Sequence, residues 1–329
     1  MIIRKTALFD QFQCIASACP DSCCKEWSVT VDPDAATLYR SLPGPLGDRL
    51  RQVLTDEGGD TVMAIEDGRC PMWRSDGLCR IQAELGHDAL CTTCREFPRL
   101  THDYGDFMEL GLELSCPEAA RMILSSPPRP FTVTQNPGGE EPDYDPEDMA
   151  TLLRTRDQAL QILSQNRPIG ELLALLLMYG YQAQSELDGD DAASFDPEAA
   201  LSAARSHARP GDANALLDFY KNLEILTDTW CHRLDHPSGG DWDNRSQALA
   251  SYFVERYWLQ AISDFDLVGR VKFAVISCLV IKLLGNDFVE TAQAYSKEIE
   301  NDPDNVEALL DAAYTCPAFT DDKLLGLLL

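Results

Sequence analysis

The sequence holds no uncharged apolar run long enough to span a membrane. Its longest candidates, ELLALLLMYG near Leu175 and VKFAVISCLVIKLLG near Ile276, are too short or carry lysine, whereas a spanning helix takes about 20 apolar residues. Both read as buried helices, and no membrane partner is expected. The N-terminus MIIRKTALFDQFQC lacks the apolar stretch and small-residue cleavage pattern of an export signal, so a cytoplasmic location is the expectation. Positive charge is scarce as well. Against 54 Asp and Glu stand 27 Lys and Arg, a formal net charge of -27, which would repel a phosphate backbone or an anionic membrane surface. Nucleic acid is not expected as a partner. No segment recurs at a fixed period, which argues against a repeat solenoid. The oligomeric state stays open.

Cysteine is plentiful. Of twelve, nine (Cys14, Cys19, Cys23, Cys24, Cys70, Cys79, Cys91, Cys94 and Cys116) lie in the first 116 residues. The 329-residue chain is 45% hydrophobic, enough to build a core without covalent staples. In a reducing cytoplasm such a cluster is expected to hold metal rather than disulfides. Cys231, Cys278 and Cys316 fall in helical patterns and read as small hydrophobes.

Apolar residues alternate in EWSVTVD, TVMAIED and DFMELGLELS, which predicts a small sheet of two or three strands. DPDAATLYRSL opens a helix with Asp and Pro, and a second short helix is expected over Leu46 to Leu54. Pro117 follows Cys116 at a first-helical position, placing that thiol at a helix N-terminus. The Pro-, Gly- and acid-rich stretch from Pro127 to Pro146 reads as a connection. Beyond it, helices are expected over Glu147 to Gln165, Ile169 to Gln184, Asp212 to Leu234, Arg245 to Ser263 and Leu267 to Leu284. The predicted fold is mainly α. A small cysteine-rich metal-cluster domain with a short β-sheet occupies residues 1–130, a linker 131–145, and an all-helical domain 146–329.

The cysteine spacing is C-x4-C-x3-C-C, a gap of 45 residues, then C-x8-C-x11-C-x2-C and finally Cys116. Cys91 and Cys94 can chelate together in either a helix or a loop. Adjacent Cys23 and Cys24 cannot easily do so, because successive side chains diverge. Either one of them ligates beside a supporting neighbour, or the two face separate centres; the compactness of the segment favours one centre. All-cysteine ligation suits zinc or iron–sulfur. With a single C-x2-C pair and irregular gaps the pattern departs from a zinc ribbon, so an iron–sulfur cluster is preferred, 4Fe–4S in form, with zinc as the alternative. The C-x3-C-x2-C triplet of typical radical enzymes is missing.

CPMWRSDGLCRIQAELGHDALCTTCREFPRL, Cys70 to Leu100, closely resembles the flagellin lysine-N-methylase family. CIASACPDSCCKEW and LSCPEAARMIL resemble that family's first and last cysteine segments, so the resemblance covers about residues 8 to 125. It implies methylation of flagellin lysines from S-adenosylmethionine, with a cysteine-held iron–sulfur cluster. Its cysteine positions match Cys14, Cys19, Cys23, Cys24, Cys70, Cys79, Cys94 and Cys116, leaving Cys91 as a bystander. Cys70, Cys79 and Cys94 with one first-segment cysteine are expected to hold the cluster. A smaller zinc- or iron-chelating family shares the cysteine pattern, so a non-catalytic redox or metal module, or a methyltransferase acting on another protein, are the alternatives. No G-x-G-x-x-G loop follows a strand, which excludes the usual doubly wound methyltransferase domain.

Methyl transfer needs a neutral lysine amine, through desolvation or a nearby base. The expected meeting place of lysine and donor is a cleft between the two halves near Arg95 to Arg99, since domain interfaces commonly hold such pockets. Arg95 and Arg99 would stabilise thiolates there. Trp27 and Trp73 read as shielding or core aromatics, His87 and His102 as surface or loop residues. Cys231, His232 and His236 lack a further ligand. Tyr252, Tyr257 and Asp264 are possible acid–base groups in the helical half.

Overall fold

In a computed structural model the chain is described over residues 1–329 apart from 128, 137, 140, 192 and 286. Among the described residues seven strands form two small sheets: β1 (Ile2–Lys5), β2 (Val29–Val31), β3 (Leu54–Glu57), β4 (Asp60–Met63), β5 (Arg99–Asp103), β6 (Phe107–Leu112) and β7 (Thr132–Gln135). The larger sheet has the order β5-β6-β1-β7, the smaller β2-β4-β3. β1 lies parallel to β6 and antiparallel to β7, so the N-terminal strand is enclosed on both edges. β7 comes from the 131–145 connection, where Thr132, Val133 and Thr134 suit an extended, exposed strand. In the smaller sheet Gly58 and Gly59 adopt φ of +60° and +102° between β3 and β4, conformations open to a residue without Cβ.

Alternation explains the strands. Val29 and Val31 are buried with Thr30 exposed between them, and they pack with Tyr39, Leu50, Met63 and Met72 beneath the Pro33–Ser41 and Gly44–Val53 helices. Asp32 accepts the Ala35 N–H at 3.0 Å and Pro33 follows at the first helical position. The same Asp-Pro start recurs at Asp145, Asp196 and Asp302, each capping its helix. Asp212, Asp266 and Asp287 cap further helices. Part of the large negative charge is thus placed at helix N-termini, where the dipole and free N–H groups favour it.

The helical half is built round Leu267–Leu284, in which every residue but Lys282 and Leu283 is buried. A helix apolar on all sides must be surrounded, and Pro146–Leu163, Ile169–Leu187, Ser246–Tyr257, Phe288–Tyr295 and Pro303–Thr315 belong to the same core. That core also takes in Phe107 of β6, Leu114 just beyond it, and Ala120 and Leu124 of the Pro117–Leu124 helix. Two differences from the sequence reading have local causes. The helix expected over Asp212 to Leu234 divides into Ala213–Tyr220 and Asp228–Asp235. Asn305 takes both backbone groups of Glu224, Glu298 accepts the Leu226 N–H, and Thr227 starts the second helix by capping Trp230. The Arg245 to Ser263 helix is α-helical to Tyr257 and tightens into a 3-10 turn at Trp258–Ile262.

Candidate functional site

All twelve cysteines are free thiols. Cys79, Cys91 and Cys116 each occupy the N-cap position of a short helix, starting at Arg80, Thr92 and Pro117. Helix N-termini favour thiolate over thiol. The first cysteine segment is pinned to the second by the Cys70 N–H, which donates to the Cys24 carbonyl at 2.8 Å. The Cys91–Cys94 turn is held against β2: Thr92 N–H donates to Asp32 Oδ2 at 2.7 Å and Thr93 Oγ1 to the Thr30 carbonyl at 2.9 Å.

The thiols gather in two groups that meet at the adjacent pair. Cys70 and Cys91 are buried in the apolar cluster of the smaller sheet, with Cys24 and Cys79 packed against it. Cys116 belongs to a different cluster with Phe12, Leu112 and Ala119. Electrostatic neighbourhood follows the same division. Burial pushes Cys70 up to about 12, and Cys24, Cys79 and Cys91 are the thiols that add to it. Burial raises Cys116 to about 11, with Cys19 and Cys14 adding. Cys23 is raised, first by its hydrogen bond to Cys24 and then by desolvation, Cys24, Cys14 and Cys116. The same bond lowers Cys24 to about 7. Cys91 is likewise lowered to about 7 by its hydrogen bond with Cys94, while Cys94 is raised, with Cys24 and Cys23 among the charges it feels. The expected ligands Cys70, Cys79 and Cys94 therefore share one neighbourhood with Cys24, and Cys91 lies among them. Cys14, Cys19 and Cys116 form the other group, and Cys23 adjoins both. Among the described residues no three His, Cys, Asp or Glu side chains stand close enough together to hold a metal ion. In chemical kind the donors fit a thiolate-held cluster: free, partly buried, and contributed by both cysteine segments.

The cysteine loop is docked onto the helical half by residues that sequence patterning passed over. After Phe288–Tyr295 the helix widens into a π-turn, Ser296–Glu300, whose residues are all buried. Lys297 reaches Asp21 at 3.2 Å and pairs with Glu26, on either side of Cys23 and Cys24, and its ammonium lies 5.0 Å from the Trp27 ring centre. Gln293 adds bonds to Asp21 at 3.0 Å and to the Ser115 carbonyl at 2.8 Å. Glu300 faces the opposite way, accepting from Tyr257 at 3.0 Å and pairing with Arg256 at 3.3 Å. π-turns frequently mark functional positions. The signal that could have flagged this one is the charged run Lys297–Glu300 inside an apolar helical pattern.

Arg256 and Tyr252 form one wall of a cavity between the larger sheet and the Ser246–Tyr257 helix. Two adjoining spaces of about 70 and 40 Å³ share Thr6, Leu112, Tyr252 and Glu255. Ser126 and Arg129 line the larger, His102, Glu109 and Phe131 the smaller. Glu109 is paired with Arg4 at 2.9 Å and with the fully buried Arg156 at 2.6 Å. Tyr252 Oη receives a hydrogen bond from Arg256 at 2.5 Å, and burial raises its phenol. Burial raises the Glu255 carboxyl to about 7, with Arg156 opposing and Glu109 reinforcing. His102 is lowered by burial, and its Nε2 is buried without a hydrogen-bond partner.

The remaining candidates are dispersed. Arg95 bonds to Glu96 at 3.2 Å and Thr92 at 3.3 Å, and Arg99 lies 5.7 and 5.3 Å from the ring centres of Phe9 and Phe12. Neither lines the cavity, although Leu100 and His102 of the Arg99 strand do. Trp27 packs 6.3 Å from Phe97, and Arg69 covers Trp73 at 4.2 Å. His87 is exposed at the start of a 3-10 turn, His87–Ala89. His232 and His236 stack on each other at 4.3 Å beside an exposed Cys231. Asp264 forms an ion pair with Arg270 at 2.9 Å. Among the described residues no helix is long and apolar enough to cross a membrane.

Comparison with known proteins gives matches over part of the chain. It is 33% identical over 135 residues to the flagellar biosynthetic protein FliU of Salmonella muenchen, covering 38% of this chain and 78% of that protein. It is also 33% identical over 135 residues to the lysine-N-methylases of Salmonella typhimurium and Salmonella choleraesuis, covering 33% of each. The match thus spans about a third of those two longer relatives. No protein-family profile and no solved structure matches the chain.

Proposed function

The chain belongs to the flagellin lysine-N-methylase family, and from that premise we propose that it is an S-adenosylmethionine-dependent protein-lysine N-methyltransferase of the cytoplasm, acting on flagellin. The observation that carries this reading is its 33% identity with two proteins named lysine-N-methylase. Geometry supports it. The cysteine loop and the larger sheet are each joined to the helical half by an ion pair, and a carboxylate-bearing cavity lies between that sheet and the helices.

In this reading Cys24, Cys70, Cys79 and Cys94, with Cys91 beside them, would hold an iron–sulfur cluster. S-adenosylmethionine, when bound, supplies a methyl group on a positively charged sulfur. The protein's own task is to present a lysine nitrogen with a free electron pair and to keep water away from it, which a partly buried site achieves through desolvation. Lys297, Asp21 and Glu26 would hold the thiol loop in register with the helices. The test is incubation of the anaerobically reconstituted protein with flagellin and methyl-labelled S-adenosylmethionine, followed by mass spectrometry of the flagellin lysines. Methyl-lysine is the expected product. A fully iron-loaded protein that transfers no label would overturn the reading.

A further inference from the structure

The cavity between the larger sheet and the Ser246–Tyr257 helix is lined by several ionisable groups, of which Glu109, Arg256 and Tyr252 are already engaged. Glu109 is taken by Arg4 and Arg156, and Arg256 by Glu300 and Tyr252. The Glu255 carboxylate has neither hydrogen bond nor ion pair among the described residues, yet it lines both halves of the space. His102 Nε2 and, in the larger space, the exposed Arg129 are likewise uncommitted among the described residues. A buried polar atom with no partner, here His102 Nε2, is costly, and with the unpaired Glu255 carboxylate opening into the same space it marks a place where a ligand atom belongs.

We propose that this cavity receives the aminoalkyl tip of a lysine side chain and that Glu255 accepts a proton from its nitrogen. The assignment rests on the lysine-methylation reading above. The space is small, about 70 and 40 Å³, enough for a few water-sized groups, which suits an amine with its last methylenes. The wall suits both ends of such a group, with Leu112 and Phe131 for the methylenes and Glu255 for the nitrogen. In the transfer one N–H bond breaks, the proton forms an O–H bond on Glu255, and the nitrogen keeps the electron pair. A free lysine ammonium titrates near about 10.4, above the carboxyl. Desolvation and the neighbouring guanidiniums of Arg156 and Arg256 lower the ammonium, against Glu109 and the Glu255 carboxylate, which favour its charged form, while burial raises Glu255 to about 7, narrowing the gap from the acceptor's side. Glu109, His102, Tyr252 and, in the larger space, Arg129 complete the ionisable surroundings.

The full-length protein tests this in two arms. The first follows resonances of cavity residues by NMR during titration with n-butylamine or n-butanol. Shifts with the amine alone, lost in Glu255→Gln, are expected; equal response to the alcohol, or an undiminished amine response in Glu255→Gln, would overturn the site. The second measures kcat/KM for flagellin methylation against pH, with iron content and thermal midpoint as controls. Wild type should gain activity as pH rises through about 7, because the proton acceptor must be ionised. Glu255→Gln should lose about 100-fold or more and flatten that rise, with Glu255→Asp recovering part of it and iron unchanged. A Glu255→Gln protein with activity within about threefold of wild type and the same pH profile refutes the proposal while leaving methylation intact. Glu255-dependent amine binding in a wild-type protein that methylates nothing supports the amine site and removes the methylation reading.

Discussion

Cys23 and Cys24 show how much one peptide unit can separate. Cys24 packs with Cys70, Cys79 and Cys91 against the smaller sheet, whereas Cys23 feels Cys14 and Cys116 on the other side. The two thiols stay within hydrogen-bonding reach of each other, and divergent side chains on consecutive residues let the rest of each face a different group. The two should therefore be unequal on substitution. Cys24→Ser is expected to remove most of the iron held by the Cys70 group, and Cys23→Ser to leave that iron largely in place. Iron and sulfide analysis of anaerobically reconstituted proteins checks this; equal, complete loss from both would show that the two groups form a single centre.

At the scale of the element, the π-turn Ser296–Glu300 carries the heaviest polar load in the helical half. It sends Lys297 to the cysteine loop, Glu298 to the broken segment at Leu226 and Thr227, and Glu300 to Tyr257 and Arg256. A regular α-turn would place these side chains at other angles, and the extra residue per turn is what spreads them over three neighbours. Lys297→Met should cost on the order of 2 kcal/mol, since hydrogen bonds to charged groups contribute about 1.5–3 kcal/mol and Lys25 still holds Asp21 at 2.6 Å. The urea midpoint reports the loss, and iron should leave the variant faster under chelator. Lys221→Met serves as the control. Its pairs with Asp218 and Asp235 lie on the surface, where solvent screens them, and the substitution should change the midpoint little.

Over the whole molecule the sheet and the helices are welded by Arg156 and Glu109. The Arg156 side chain is 0% exposed and that of Glu109 5%. Removing one member of such a pair leaves a buried charge uncompensated, a loss of about 3–5 kcal/mol. Glu109→Gln should be destabilised by that order, although Gln keeps the shape. Because Phe107, Leu114, Ala120 and Leu124 belong to the helical core, wild type is expected to unfold with tryptophan fluorescence and far-UV circular dichroism changing together. Two well-separated transitions would show that the halves are energetically independent.

What the sequence determined by itself were the features whose cause is local. The apolar run Leu267–Leu284 had to be a surrounded helix, Asp-Pro pairs had to start helices, and alternation at Val29–Val31 and Phe107–Leu112 had to give half-buried strands. The cysteine spacing and its family resemblance were legible for the same reason, since both are written in consecutive residues. The tertiary structure alone decided which thiols are neighbours, that Asn305 and Glu298 interrupt the Asp212 to Leu234 pattern, and that β7 closes the larger sheet. It also decided that Glu255, without a partner among the described residues, lines the same cavity as the unpartnered Nε2 of His102, 153 positions away in numbering. Helical spacing registers Glu255 as one more polar residue on an amphipathic surface. Its uncommitted charge arises because β6, folded back across the chain, brings Glu109 to Arg156 and gives Glu255 a low-dielectric wall instead of water.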